Sequence, residues 1–491
     1  MSDVETLLTG GTVITVDEER RVLEPGAVAV DSGQIVEVGD RDELVSRYSS
    51  DRQIDLPDAV LLPGLVDSHG HAGHAMTKNL AVSEGKWLDV VGDVYFQASD
   101  TEFWRAESYL AALEHLESGV TTSISFTGSY SRVDDPKYAV AAAEGYGELG
   151  LRHVVTLGPP NPPFPMECYD VEADEPTAVD LDGAFETTEA VIDRLDGTQD
   201  GRLSVYVGLS QLVPEVEVDG ETMTTGFTAD GEIIGSPETG DVRATDHSQK
   251  QMETAVALAE EKETNIHAHA YAGQVDVAVD SVPEILSPRL SLAHCCGMRD
   301  TELETMAYRG VSASHGPLTH AYARKRFPLI EAMEAGVNVA ISTDGAAPDR
   351  SFDLLSQGRI AAQLQRVHFE DTSLLPAARV LEMMTIDAAR ALGMDDEVGS
   401  LEAGKRADII AVDLNSARLQ PSYRLPERVV HYASGSDVSF VMVDGSVLLE
   451  DRDFGDIDVN GILEDAQTAA EETFERAGVR QYAGLPSDGQ T

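Results

Sequence analysis

Histidines and one aspartate recur in this chain at the ends of apolar runs, and these are residue types that bind divalent metal ions. The first run, Pro63-Gly64-Leu65-Val66-Asp67-Ser68-His69-Gly70-His71, ends in His-x-His. Alternate residues of a strand point the same way, so both imidazoles can reach one ion at the strand's end. Alone, such a pair is as easily two surface histidines in a loop. Three later runs share the pattern. Asn265-Ile266-His267-Ala268-His269 brings a second His-x-His, Leu290-Ser291-Leu292-Ala293-His294 a single histidine, and Val339-Ala340-Ile341-Ser342-Thr343-Asp344-Gly345 an aspartate. A satisfied core histidine would explain any one of these positions, but not four such runs in this order. Imidazole nitrogen and carboxylate oxygen together suit a borderline divalent ion, and a catalytic site leaves one position for water.

Elements must carry these residues to one place. Between about 63 and 395, short β-like runs (TTSISF, LRHVVTLG, RLSVYVGL, TNIHAHA, RLSLAHC, GVSASHG, NVAISTDG) alternate with helical stretches such as KQMETAVALAEEKE and PLIEAMEAG. That alternation predicts a parallel sheet with crossover helices. Roughly eight β units favour a closed (β/α)₈ barrel, a TIM-like α/β fold whose strand ends converge on one face. Residues 5–62 read as short strands and turns of an antiparallel sheet, and similar patterns return at Ala407 and Val438. The division expected is a composite β-sandwich from 1–62 and 396–450, a barrel over 63–395, and a C-terminal helix with a polar tail over 451–491. The Pro-, Asp-, Glu- and Gly-rich segment 160–245 is expected to contain a long barrel loop.

With those motifs in view, the chain resembles the amidohydrolase superfamily, in particular its branch of triazine hydrolases and adenosine-derivative deaminases. PGLVDSHGH resembles that family's first-strand motif, GVTTS from Gly119 its second-strand region, and STDGAA from Ser342 its last-strand motif. ALGMDDEVGSLEAGKRADIIAVDL, from Ala391, is similar to the family's return to the sandwich. The resemblance implies that His69, His71, His269 and Asp344 bind the metal, with Asp344 also moving protons. It implies that His294 bonds the water or the substrate, and that His267 stands behind the ligands or packs. One divalent ion is implied, zinc first, with iron and manganese as alternatives. His74, Trp87 and His320 are candidates for the substrate pocket; a core or surface role is the competing reading of each.

Two departures bear on the chemistry. Many deaminases of the branch carry a proton-shuttling glutamate three residues after the fifth-strand histidine; here that residue is Ala272. Where the family often has Cys-Pro-x-Ser-Asn, this chain has Gly316-Pro317-Leu318-Thr319-His320. Two-metal relatives often bridge their ions with a carboxylated fourth-strand lysine, and no lysine lies between Lys137 and Lys250. The expected reaction is attack by metal-bound hydroxide on a non-peptide C–N bond of a small cyclic amide, amidine or amino-substituted ring. Alternatives are deamination of purine-like, pterin-like or adenosine-derivative substrates, ring dehalogenation, and a non-catalytic metal-binding scaffold.

Composition sets the surroundings. The net charge is −52, from 87 acidic and 35 basic residues spread along all 491 positions. Such a surface repels nucleic acid and anionic membranes, and it reads as adaptation to molar salt, where the screening length shrinks to about 3 Å. The partner expected is a small-molecule substrate, with a homodimer as the candidate assembly. Cys168, Cys295 and Cys296 have neither disulfide-framework nor thiolate-zinc spacing, which points to a reducing cytoplasm. No basic-then-apolar leader pattern opens the chain, and no apolar run reaches the ~18 residues of a membrane span.

Overall fold

The computed structural model describes residues 2–128, 131–227, 233–234, 242–322 and 325–484. Eight strands make one all-parallel sheet: β1 (Leu65–Asp67), β2 (Val120–Phe126), β3 (Arg152–Leu157), β4 (Leu203–Leu209), β5 (Ile266–Tyr271), β6 (Leu290–Cys296), β7 (Ser312–His315) and β8 (Val339–Ile341). They neighbour one another in chain order. This is the TIM-like barrel that the alternating pattern predicts, nearly closed. The closing seam runs through the ends of β1 and β8. The Asp344 N–H donates to His69 O (3.0 Å), the Thr343 N–H to Asp67 Oδ1 (3.0 Å), and the Ser68 hydroxyl to Ile341 O (3.2 Å). Asp67 is thereby a staple between the first and last strands rather than a pocket residue.

Strands β2 and β3 are buried along their whole length, as expected where helices cover the outside of a parallel sheet and side chains fill its inside. Helices Thr101–Glu117, Pro136–Glu148, Leu181–Leu195 and Asp246–Glu261 each begin on an Asp or Thr whose side chain accepts a first-turn N–H, so orphan donors are satisfied at each entry.

Strands from both chain ends form a second eight-stranded sheet beside the barrel, in which Tyr48–Pro63 pairs with Ile409–Asp413. The expectation of an antiparallel sheet needs one correction. Ser2–Ile14 runs parallel to Tyr48–Pro63, while every other pair in that sheet is antiparallel. The helix Arg41–Arg47 supplies the crossover a parallel pair requires. The segment 160–245 contains β4 and two excursions from the barrel. A hairpin of Met166–Asp170 with Glu175–Val179 precedes β4, and a small sheet of Glu215–Val218, Glu221–Thr224 and Val242–Ala244 follows it. The rest of the second excursion, residues 228–232 and 235–241, lies outside the described residues, as does the polar chain end from 485. The last helix, Val459–Arg476, packs Ala466, Ala469 and Phe474 against the region that carries Trp87. Among the described residues, no helix is long and apolar enough to cross a membrane.

Candidate metal centre

At the C-terminal ends of β1, β5, β6 and β8 the sequence places His69 and His71, His269, His294, and Asp344. Their side chains are buried, with no more than 7% of each residue exposed. The Nε2 atoms of His71 and His269 stand 3.3 Å apart. Asp344 Oδ1 lies 3.1 Å from His69 Nε2 and 3.2 Å from His71 Nε2. Two groups of ligand atoms fall within 4.8 Å of one another, His69 with His71 and His269, and His69 with His294 and Asp344.

The state of each ring follows from its other nitrogen. His71 Nδ1 faces the Gly128 carbonyl at 2.9 Å, so Nδ1 carries the proton and Nε2 presents a lone pair. His69 Nδ1 lies 2.8 Å from His267 Nε2, and His267 Nδ1 lies 2.6 Å from the Ser291 hydroxyl. His267, one barrel layer below His269, is thus a support for His69. Burial pushes His69 down, and His269 well down, from the ordinary histidine range, and it pushes His294 to about 3. The rings are therefore neutral, as metal ligands must be. Burial pushes the Asp344 carboxyl up, but the Arg350 charge and the adjacent His69 and His71 rings outweigh it and hold it well below the usual range. Converging lone pairs, a carboxylate among them and a buried His69 Nε2 without a hydrogen-bond partner together fit a divalent cation.

Backbone strain accompanies this convergence. His294 and Asp344 both adopt positive φ, 71° and 58°, a region costly for side-chain-bearing residues and common at functional sites. Gly345 follows at φ 74°, and a Cβ there would meet His74 Nδ1 at 2.3 Å. Only glycine lets His74 approach.

A cavity of about 150 Å³ opens over this cluster, lined by His71, His269, His294 and Asp344. The pocket candidates lie in its wall. His74 stacks on His71 with centroids 4.8 Å apart, Trp87 meets His74 edge-on at 5.0 Å, and His320 meets His294 at 5.6 Å. His69 lies deeper, outside the cavity lining. Sequence reasoning did not single out Thr319 or Arg350. The Thr319 hydroxyl donates to Asp344 Oδ2 (2.7 Å), and Arg350 donates to Asp344 O (3.0 Å) with its guanidinium 3.5 Å from Oδ2. Arg350, the first cation after the STDGAA run, was the available signal. Asn161, Ser210 and Gln211 from the loops after β3 and β4 also face the cavity.

Against known proteins, residues 60–448 match the model of the amidohydrolase family, and residues 26–48 match that of an imidazolonepropionase-like composite domain of bacteria. The chain belongs to the amidohydrolase family, and it is a metal-dependent hydrolase acting on carbon–nitrogen bonds. A 5′-deoxyadenosine deaminase of Methanosarcina barkeri is 29% identical over 97% of this chain and 99% of its own. A 5-methylthioadenosine/S-adenosylhomocysteine deaminase of Syntrophus aciditrophicus is 29% identical over 92% of this chain and 94% of its own. Among solved structures, an adenosine deaminase from Xanthomonas campestris with bound zinc has TM-score 0.78 at 25% identity, covering 96% of this chain and 99% of its own. An atrazine chlorohydrolase from Arthrobacter aurescens complexed with zinc shares the fold, with TM-score 0.73 at 22% identity over 95% of this chain and 100% of its own.

Proposed function

We propose that this chain hydrolyses the exocyclic C–N bond of an amino-substituted ring, with adenosine derivatives as the first substrates to test, at a single zinc ion. His69, His71, His269 and Asp344 would hold the ion, which when bound supplies a Lewis acid and lowers the pKa of water from 15.7 toward about 7. The observation that carries the reading is the meeting of the His71 and His269 Nε2 atoms and Asp344 Oδ1 at the floor of an aromatic- and amide-lined cavity. Asp344 takes a proton from the attacking water. His294, whose ring stacks on Tyr271 at 5.6 Å, orients the water or polarises the carbon under attack. Cyclic-amide hydrolysis is the second reading, favoured by Ala272 at the position where a deaminase of this branch has its glutamate. The barrel over 63–395, the composite sandwich of 1–62 and 396–450, and the tail over 451–491 would be the working division of the chain.

Elemental analysis of protein purified without chelator tests the metal reading, with about one equivalent expected; two equivalents with a carboxylated side chain overturn it. Ammonia release from 5′-deoxyadenosine, 5-methylthioadenosine, cyclic amides and aminotriazines separates the two substrate readings. His294→Asn is expected to lower turnover by about 10²–10³-fold with metal content unchanged, the scale of losing one preorganised polar contact to the transition state. The three cysteines are buried and unpaired, which supports a cytoplasmic setting. The −52 charge supports a protein built for molar salt.

A further inference from the structure

Expelling an amine needs a proton on the leaving nitrogen at the moment the C–N bond breaks. Few groups around the cavity can bring it. Asp344 is the one carboxylate among the described lining residues, and both of its oxygens are engaged. Oδ1 faces His69 and His71, and Oδ2 accepts from Thr319 with Arg350 beside it. It has one proton site to offer at most. Burial pushes the Cys296 thiol well above its ordinary value, so it stays a thiol.

His320 differs from all of these. It is only 4% exposed, lines the cavity, and its Nε2 has no hydrogen-bond partner. Its Nδ1 is 2.9 Å from Nδ1 of His315. His315, at the end of β7, is itself buried and stacked on Phe327 at 4.8 Å. Two nitrogens at that distance share one proton: one Nδ1 donates and the other accepts. When His320 donates, its Nε2 carries a lone pair. When His315 donates, His320 Nε2 carries the proton instead. The pair thus sets whether Nε2 of this cavity-lining residue accepts or gives a proton. Burial keeps both rings neutral at ordinary pH, so the lone-pair form is available.

We propose that His320, with its tautomer set by His315, is a further catalytic residue that carries the proton to the leaving nitrogen. The inference rests on the C–N hydrolysis reading above. After water adds to the ring carbon and Asp344 has passed its proton to the ring nitrogen, the adduct bears one hydroxyl and one amino group. His320 Nε2 takes the hydroxyl proton, leaving the oxygen as an alkoxide, and passes that proton to the amino nitrogen. The oxygen's electron pair then forms the C=O bond as the C–N bond breaks, and the nitrogen departs as ammonia with the electron pair of that bond. His320 returns to its starting form.

Three measurements on the zinc-loaded protein test this. In ¹⁵N-histidine-labelled protein, long-range ¹⁵N–¹H spectra should show one protonated and one bare Nδ1 in the pair, and His315→Phe should change the His320 pattern. Two protonated or two bare Nδ1 atoms overturn the proposal without any assay of turnover. On the best substrate of the panel above, His320→Gln should lower kcat by about 10²-fold or more, with KM within about threefold and metal content unchanged. Added imidazole should restore part of the rate in His320→Ala. A rise in KM at unchanged kcat would make His320 a binding contact only and overturn the shuttle. If 5′-deoxyadenosine is inert but another member of the panel turns over, the substrate reading falls while the same kinetic comparison still judges His320. If nothing turns over, C–N hydrolysis as read here fails, and the spectra alone decide the pair.

Discussion

His267 Nε2 stands 2.8 Å from His69 Nδ1, so the first histidine of the β5 pair holds a β1 histidine instead of facing the cavity. This places a support behind a candidate ligand: Ser291 orients His267, His267 orients His69, and the His69 Nε2 lone pair is aimed at Asp344 Oδ1. Such partners fix the tautomer and raise the basicity of the ring they touch. His267→Phe keeps a buried ring but removes the bond. Zinc affinity, measured by competition with a chromogenic chelator, is expected to fall by about 10–100-fold, whereas Ala268→Ser, the neighbour facing the other way, should leave it unchanged. An unaltered affinity in His267→Phe would reduce His267 to packing.

How far the sequence shows this arrangement depends on what sets each contact. The strand-end placements of His69, His71, His269, His294 and Asp344 are legible because a parallel barrel gathers such ends, and apolar runs mark where its strands are. Thr319 and Arg350 were not legible as partners of Asp344. Thr319 lies in the short helix Pro317–Tyr322 after β7 and Arg350 in the loop after β8. Tertiary packing fixes both placements, and no residue pattern encodes a hydroxyl meeting a carboxylate 25 positions away. The parallel pairing of Ser2–Ile14 with Tyr48–Pro63 was hidden for another reason. Inward–outward alternation along a strand is the same whichever way its neighbour runs.

Glu107 offers a pH-dependent test of the segment around His74, whose backbone it holds at Ala75. Its carboxyl is fully buried on helix Thr101–Glu117, accepts from the Ala75 N–H at 3.4 Å, and has an unpartnered second oxygen. Burial pushes it up to about 8, against 4.5 for an ordinary glutamate. Between those values the folded protein holds the proton and the unfolded chain does not, so stability falls as pH rises from about 4.5 to about 8. Glu107→Gln imitates the protonated form and removes that slope. Its Tm is expected to match the parent's near pH 5 and to exceed it at pH 8 by a few degrees, roughly the shift that follows from a gain of one to several kcal/mol. Equal melting temperatures at both values would mean that Glu107 is ionised or solvated in the folded state.

Salt should act on the whole surface. A net charge of −52 repels itself at low ionic strength, and screening over about 3 Å at 1 M removes most of that repulsion. Surface ion pairs such as Lys262 with Glu189 and Asp193 weaken under the same screening, but each is worth little. Self-repulsion therefore decides the sign. Tm is expected to rise by on the order of 10 °C between 0.1 and about 3 M KCl. A flat or falling curve would remove the high-salt reading and leave the enzyme assignment intact.

Ala272 decides between the two substrate readings. It follows β5 directly, its N–H donates to Cys296 O at 3.1 Å, and it is half-buried between two cavity residues, Tyr271 and Cys296. A carboxylate introduced there would sit beside the cavity and titrate higher than usual because of partial burial, which suits it to exchange a proton near neutral pH. Ala272→Glu is expected to raise deamination of 5′-deoxyadenosine by about 10-fold or more, within the usual range of general acid–base help, and to leave cyclic-amide hydrolysis unimproved. In a His320→Gln background the gain should be larger, because the new carboxylate then supplies the only second proton carrier. The comparison of ammonia release by the four proteins (parent, each single variant and the double variant) is the measurement. Equal gains in both backgrounds would mean that the two groups serve different steps. No gain in either would mean that proton delivery does not limit the rate and that the ring deaminase reading itself must give way to amide hydrolysis.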